Sequence, residues 1–240
     1  MLDRTVQPAF QKSTAFDLIR PETIVLKNGI PVIVVRGGDQ AVAKIEFVFD
    51  AGKWDEPQPG VSYFTAHLLQ KGTASKNSYE ISNEAEKRGI HFEVSPGHDF
   101  TSLALFGLTK NIGEIFELTR EIITAPVFPQ YELDQMRAIY TQSLKINLEK
   151  TSYIASLELR KKLFGSEHPY GRDAGPDEIS ALDRDWLLNF HRVRFGNFRI
   201  ICSGKITDEL LRSLISYFET VDLHTAEPKT FEAAITTVSS

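Results

Sequence analysis

Apolar positions along the chain switch between a period of two and a period near 3.6, and each switch marks the edge of an expected element. Met1 to Pro21 keeps neither period and is interrupted by Pro8 and Pro21, so residues 1–22 are expected to form an extended N-terminal arm. Thr23-Ile24-Val25-Leu26-Lys27 and Pro31-Val32-Ile33-Val34-Val35 are β-rich runs on either side of Asn28-Gly29, a strong hairpin signal. Ala43 to Asp50 alternates apolar and polar residues, as a strand with one covered face should, and Ala51-Gly52 closes it.

After a Pro- and Gly-bearing loop, Gly60 to Thr73 reads as a short helix. It has a glycine start, an apolar face of Val61, Phe64, Leu68 and Leu69, and a Lys71-Gly72-Thr73 stop. A second helix is expected over Tyr79 to Arg88, with Ser78 as N-cap and Gly89 as terminator. Ile90 to Val94 and Thr101 to Phe106 form a hairpin pattern around Pro96-Gly97. From Asn111 the spacing of Ile112, Ile115, Phe116, Leu118, Thr119 and Ile122 is helical and ends before Pro126. A long helical region runs from Tyr131 to about Phe164, divided near Lys150-Thr151-Ser152 with Ser152 capping its second part. A loop over Gly165 to Pro176 precedes a helix over Asp183 to Val193, a strand over Phe198 to Cys202 and a last helix over Thr207 to Phe218. Residues 221–240 are thin in apolar periodicity and read as a tail or linker towards a second domain. Strand pairs alternating with helix pairs predict an α+β domain over residues 23–220, a mainly antiparallel sheet with helices on one side.

Composition narrows the function. With 240 residues the chain can bury roughly 70% of its unfolded surface, and 42% hydrophobic with 25% charged residues is ordinary for a globular protein. A net charge of −5 argues against a nucleic-acid or anionic-membrane partner, each of which requires clustered Lys and Arg. The single cysteine, Cys202, lies in an apolar strand pattern, which predicts a buried thiol, no internal disulfide and a reducing compartment. No run approaches the ~18 apolar residues of a membrane span, and the N-terminus has no basic-then-apolar leader, so a cytoplasmic location is expected.

The candidate chemistry lies on the helix that starts at Gly60. Tyr63 and His67 are four apart and share one face, with Ala66 beside them. There an inverted zinc-peptidase motif, His-x-x-Glu-His, would put two imidazoles on the metal and a carboxylate as general base. The surrounding Gly-x-x-x-Phe-x-x-His-x-Leu-x-Lys-Gly-Thr pattern resembles the insulinase, or M16, metallopeptidase family, which includes the mitochondrial processing peptidase subunits. Three further segments resemble that family in the same order: Leu26 to Val32, Phe49 to Glu56, and Phe164-Gly165-Ser166-Glu167-His168-Pro169-Tyr170-Gly171.

The resemblance implies a sandwich of the M16 and LuxS metallohydrolase kind, and subunits or halves that pair around a substrate. It also implies a third zinc ligand, a Glu, in the long helix, where the best match is Gln142-Ser143-Leu144. Glu149 is displaced by six or seven residues and is not recruited. Tyr63, Ala66, His67, Gln142 and Ser143 are therefore vestigial zinc-site positions, with no catalytic residue, no metal and no cofactor expected, zinc belonging only to an active partner. A catalytic zinc site takes three protein ligands, and a missing general base alone costs ~10²–10⁴ in rate. The expected partners are an HxxEH-bearing M16 subunit or second M16 domain and a peptide substrate, with a homodimer as another arrangement. An assembly role like that of the complex III core subunits, and a peptidase using unrecognised ligands, are the alternatives.

Other polar residues have plainer readings. His67 reads as the polar tip of a packed helix, and a Ser143–His67 pair would lack an orienting carboxylate. His91 with Glu93, and His98 with Asp99, read as surface polar groups. His168 is expected to fix a turn beside Pro169 and Gly171, and the run His191-Arg192-Val193-Arg194 to place positive charge at a helix C-terminus.

Overall fold

The alternation from Val42 to Phe49 becomes a strand whose Ala43, Ile45, Phe47 and Phe49 are buried on one face, while Lys44 and Glu46 pair at 2.9 Å on the other. The computed structural model describes residue 5 and residues 18–222. Within them β1 (Glu22–Val25), β2 (Pro31–Arg36), β3 (Val42–Phe49), β4 (His91–Pro96), β5 (Thr101–Leu108) and β6 (Phe198–Gly204) form an open sheet in the order β1-β2-β6-β3-β5-β4. Neighbours are antiparallel except β2 and β6, which run parallel with Val32 opposite Ile200 and Val34 opposite Cys202. The expected α+β class and mainly antiparallel sheet agree with this arrangement.

The helices are α1 (Val61–Leu68), α2 (Ser78–Glu86), α3 (Thr109–Ile112), α4 (Phe116–Thr124), α5 (Gln130–Leu148), α6 (Thr151–Phe164), α7 (Pro176–Ala181), α8 (Arg184–Arg194) and α9 (Asp208–Phe218). Rings at the ends of α8 and α9 meet the buried sheet face, Phe195 at 4.8 Å from Phe49 and Phe218 at 4.8 Å from Phe47. Each such fully buried side chain contributes about 1.5–3 kcal/mol. The opposite face keeps Ile33, Val35, Glu46, Ser102 and Ile201 only half-buried, so the helices cover one side.

Several local expectations are corrected. The N-cap of α2 is Asn77, not Ser78: the Asn77 side chain accepts from Glu80 N at 3.0 Å while the Glu80 carboxylate accepts from Asn77 N at 2.9 Å. Ser78 is the first helical residue and donates its hydroxyl to Glu132. Ser152 does not cap α6, which begins at Thr151 after Lys150 with no side-chain cap. The helix expected from Asn111 is split by a 3₁₀ turn over Gly113–Ile115, where glycine disfavours the helix interior. The helix α7 was not anticipated; Pro176 in its first turn and Glu178, which accepts from Gly175 N at 2.6 Å, are start signals in the sequence. Glu22 already belongs to β1, while the expected arm and tail fall mostly on 1–4, 6–17 and 223–240, outside the described residues.

Candidate functional site

Two close backbone approaches place α1. A Cβ on Gly52 would lie 2.2 Å from the His98 carbonyl oxygen, so glycine there lets the β4–β5 turn come in, its Gly97 and His98 carbonyls accepting from Lys53 N at 3.1 Å and Trp54 N at 2.7 Å. Gly60 caps α1 in the left-handed region, φ +94°, beneath Ile179 of α7 and Leu182. Between the two glycines the Glu56 carboxylate accepts from Gly60 N at 3.0 Å and Ser62 N at 3.2 Å, satisfying donors that a helix N-terminus leaves open. Burial pushes Glu56 up to about 7, against the lowering effect of those two hydrogen bonds and of Lys53 and Arg172.

Along α1, Val61, Phe64, Ala66 and Leu68 are fully buried, His67 is half-buried and Tyr63 is 37% exposed. The Tyr63 ring lies 4.3 Å from the His67 imidazole and packs edge-on against Tyr140 of α5, centroids 5.1 Å apart. Tyr140 also meets Phe64 at 5.4 Å. Tyr140 is thus the α5 residue that faces α1, and sequence reasoning missed it because the apolar positions of α5 do not mark a single face.

Ser143 is exposed and shares with Tyr63, Tyr140, Ile139 and Tyr153 a cleft of about 200 Å³. Gln142 turns away, among Asp134, Arg137 and Lys145. Glu149 is exposed at the end of α5. The structure therefore brings Tyr63, His67 and, across the cleft, Ser143 to one place, leaves Ala66 sealed in the core and puts Gln142 elsewhere. No hydrogen bond joins Ser143 to His67 among the described residues.

Burial, helped by Lys71, holds His67 below the usual histidine range, and burial raises Tyr63. Burial also pushes Tyr140 up to about 12, with Tyr153, Asp173, Tyr63 and Glu56 adding to it. What occupies this position is one neutral imidazole packed against the Tyr63 phenol, which in turn packs on Tyr140. Such a donor set does not fit a zinc ion, which takes Cys, His or carboxylate ligands, and no group of three His, Cys, Asp or Glu able to hold a metal occurs among the described residues.

A polar network lies on the other side of the same rings. Lys53 Nζ meets Asp173 Oδ1 at 2.5 Å, Arg160 holds the second Asp173 oxygen, and these groups with Glu56, His98, Tyr63 and Tyr140 border a cavity of about 260 Å³. Lys53 and Asp173 are 120 residues apart, a separation at which no local pattern announces a pair. His168 acts as expected in its turn, with Nδ1 accepting from Tyr170 N at 3.1 Å and its carbonyl from Gly171 N at 2.9 Å. Tyr170 also donates to Asp99, and its ring stands edge-on to His98 at 5.1 Å. His91 and Glu93 are exposed on the open sheet face. The expectation of positive charge from His191 is corrected: burial pushes it down to about 4, and its neutral ring donates from Nε2 to Ile123 O at 2.8 Å. Arg194 instead pairs with Asp55 at 3.1 Å.

The Insulinase (Peptidase family M16) model matches residues 32–168. An uncharacterized zinc protease of Rickettsia bellii is 20% identical over 190 residues, covering 77% of this chain and 46% of that protein. Bos taurus cytochrome b-c1 complex subunit 1, mitochondrial, is 27% identical over 131 residues, covering 53% of this chain and 27% of that one. The crystal structure of a peptidase M16 inactive domain from Pseudomonas fluorescens superposes with a TM-score of 0.81 at 23% identity, over 90% of this chain and 54% of that one. The chain thus spans about half or less of each of these relatives. With the family model covering more than half of its residues, the chain belongs to the insulinase family of peptidases, family M16.

Proposed function

We propose that this chain is a non-catalytic M16 half that pairs with a zinc-bearing M16 partner and forms one wall of a chamber around a peptide, while the partner performs hydrolysis. The observation that carries this reading is the ring cluster of Tyr63, His67 and Tyr140 where metal donors would have to converge. The likeness to an M16 inactive domain and the half-length match to longer relatives support it. The test is a reconstitution: this chain is mixed with an intact HxxEH-bearing M16 subunit from the same organism, and cleavage of a quenched fluorescent peptide is followed with each chain alone and with both. Cleavage created or raised by the mixture supports the proposal; equal cleavage by the partner alone overturns it.

A second reading, an assembly subunit without any peptidase partner, is favoured by the likeness to cytochrome b-c1 complex subunit 1. It predicts a stable complex with a non-peptidase protein and no change in peptide cleavage. Metal-dependent turnover by this chain alone would instead point to a peptidase with other ligands.

A further inference from the structure

The Tyr63–Tyr140 ring pair is a shared wall. On one side lies the cavity of about 260 Å³ bordered by Lys53, Glu56, His98, Arg160 and Asp173; on the other lies the cleft of about 200 Å³ lined by Met136, Ile139, Ser143, Leu144 and Tyr153. Both tyrosines line both spaces, so the two are separated by the thickness of one pair of rings. The first space is bordered by charged side chains, whereas the second has none and is walled by aliphatic and aromatic side chains with Ser143 and Asn147 as its polar members. From this juxtaposition we infer that the emptied site is a two-compartment peptide receptor, taking an apolar side chain in the Ser143 cleft and a carboxylate of the same peptide in the Lys53–Arg160 cavity.

The apolar compartment follows from side-chain size. Ser143 is small and exposed, and it leaves open the space between Ile139, Tyr140 and Tyr153. Tyr63 stays 37% exposed in a helix whose other aromatic, Phe64, is fully buried, so an incoming side chain finds ring surface that the fold itself has not covered. A cleft of this volume suits one aliphatic or aromatic side chain, the kind of anchor that carries most of the energy at recognition sites.

The polar compartment follows from charge. Lys53 and Arg160 both point their cations at the single carboxylate of Asp173, while Arg172, near Glu56, is paired with Glu178. Glu56 is already engaged by Gly60 N and Ser62 N, and Asp99 beside His98 is engaged by Tyr170. Arg160 Nε–H is buried and has no acceptor among the described residues. Two cations share the one Asp173 carboxylate and a guanidinium N–H is left over, which favours a ligand that brings negatively charged acceptor oxygens. Alternate side chains of an extended peptide lie about 7 Å apart on one side, a spacing that one pair of rings can divide.

The inference rests on the reading of this chain as a wall around peptide, and it is testable without a partner. Unlabelled peptides are titrated into the full chain by isothermal calorimetry: acetyl-Gly-Leu-Gly-Glu-Gly amide, the same peptide with Gln or Lys for Glu or Ser for Leu, and an acetylated Leu peptide whose only carboxylate is its C-terminus. Binding of the Leu–Glu peptide at least about tenfold tighter than the Gln, Lys and Ser forms is expected. Equal binding of the free-terminus peptide would assign the carboxylate to a chain end, and weaker binding would assign it to an acidic side chain; either supports the receptor. Ser143→Trp fills the cleft from an exposed position and should abolish the Leu-over-Ser preference. Lys53→Met should abolish the Glu-over-Gln preference while leaving the Leu-over-Ser preference in place, with circular dichroism confirming that both variants are folded. No saturable binding of any peptide, or preferences unmoved in both folded variants, overturns the inference. Peptide binding without partner pairing would overturn the proposed function alone, and pairing without peptide binding would overturn this inference alone.

Discussion

Glu56 reaches across the start of α1 to hold Ser62: its carboxylate accepts from the Ser62 backbone N–H at 3.2 Å as well as from Gly60 N at 3.0 Å. A residue four positions before the N-cap thereby replaces the capping side chain that Gly60 cannot supply. Glu56→Ala leaves both donors unpaired in a half-buried setting and should cost about 1–2 kcal/mol, the range seen when helix caps are removed. Urea unfolding followed by circular dichroism measures this, and a cost near zero would show that water replaces the carboxylate without loss.

The same residue and His191 should give opposite pH slopes. Burial raises Glu56 from 4.5 to about 7, so the stability it contributes is complete below its unfolded value and is lost as pH rises from 4.5 through 7. Burial lowers His191 from 6.5 to about 4, so its contribution is complete above 6.5 and is lost as pH falls towards 4. Each effect is on the order of 3 kcal/mol at its limit, and between pH 4.5 and 6.5 they oppose each other. The wild type should therefore change little across that window. Glu56→Gln should become steadily more stable as pH rises, and His191→Gln steadily less stable, in chemical-denaturation midpoints. Parallel slopes in the two variants would show that neither group titrates as its surroundings imply.

Asp173 holds two cations, and replacing it should expose both. Burial alone would raise its carboxyl, but the Lys53 hydrogen bond and the Lys53 and Arg160 charges outweigh burial and hold it below 3.8. The stability from this group is therefore present above pH 3.8 and lost as pH falls through its depressed value. Asp173→Asn should destabilise by about 1–3 kcal/mol at neutral pH and loosen α6, which an increase in hydrogen exchange along Thr151–Phe164 would reveal.

The Tyr63–His67 position should resist conversion into a metal site by single substitutions. Tyr63→His supplies a second imidazole but still no carboxylate ligand, so zinc bound after loading and desalting should remain far below one per chain, as in His67→Ala. Ala66→Glu places a carboxylate at a fully buried position and should cost about 3 kcal/mol or more unless a cation accompanies it. Stoichiometric zinc in the wild type, lost in His67→Ala, would show that donors outside this ring cluster complete a site.

Cys202 is buried opposite Val34 and Ile45, and burial pushes its thiol up to about 12. Its reaction with a disulfide reagent at pH 8 should be slow in the native protein and become fast on unfolding, tracking the loss of circular dichroism. Rapid labelling of the folded chain would show that β6 opens locally between β2 and β3.

The strands and most helices were legible because their signals are local: alternation in Val42–Phe49, Asn28-Gly29 between two β runs, and Gly60 before an apolar helical face. The candidate site was legible only on α1. On α5 the apolar residues divide between the core, as at Leu133 and Leu144, and solvent, as at Ile139 and Ile146, so periodicity could not single out Tyr140. Lys53, Arg160 and Asp173 meet through tertiary packing, and single charged residues in a sequence do not announce their partners. The charge expected of His191 failed for a related reason, since its burial beneath Phe128 and Phe195 comes from distant chain.

The position of β6 has a consequence for how the chain acquires its shape. The strand between β2 and β3 comes from Phe198–Gly204. During synthesis the N-terminal hairpin and the three strands β3, β5 and β4 are complete long before the strand that joins the two groups exists. Until then β2 and β3 present apolar, unpaired edges to each other and to any neighbouring chain, the condition under which strands pair wrongly. The segment matched by the family model, residues 32–168, contains β2 without β1 or β6, so by itself it would hold one unpaired strand beside a three-stranded sheet. Continuity of the sheet is thus decided late, by the seven residues of β6.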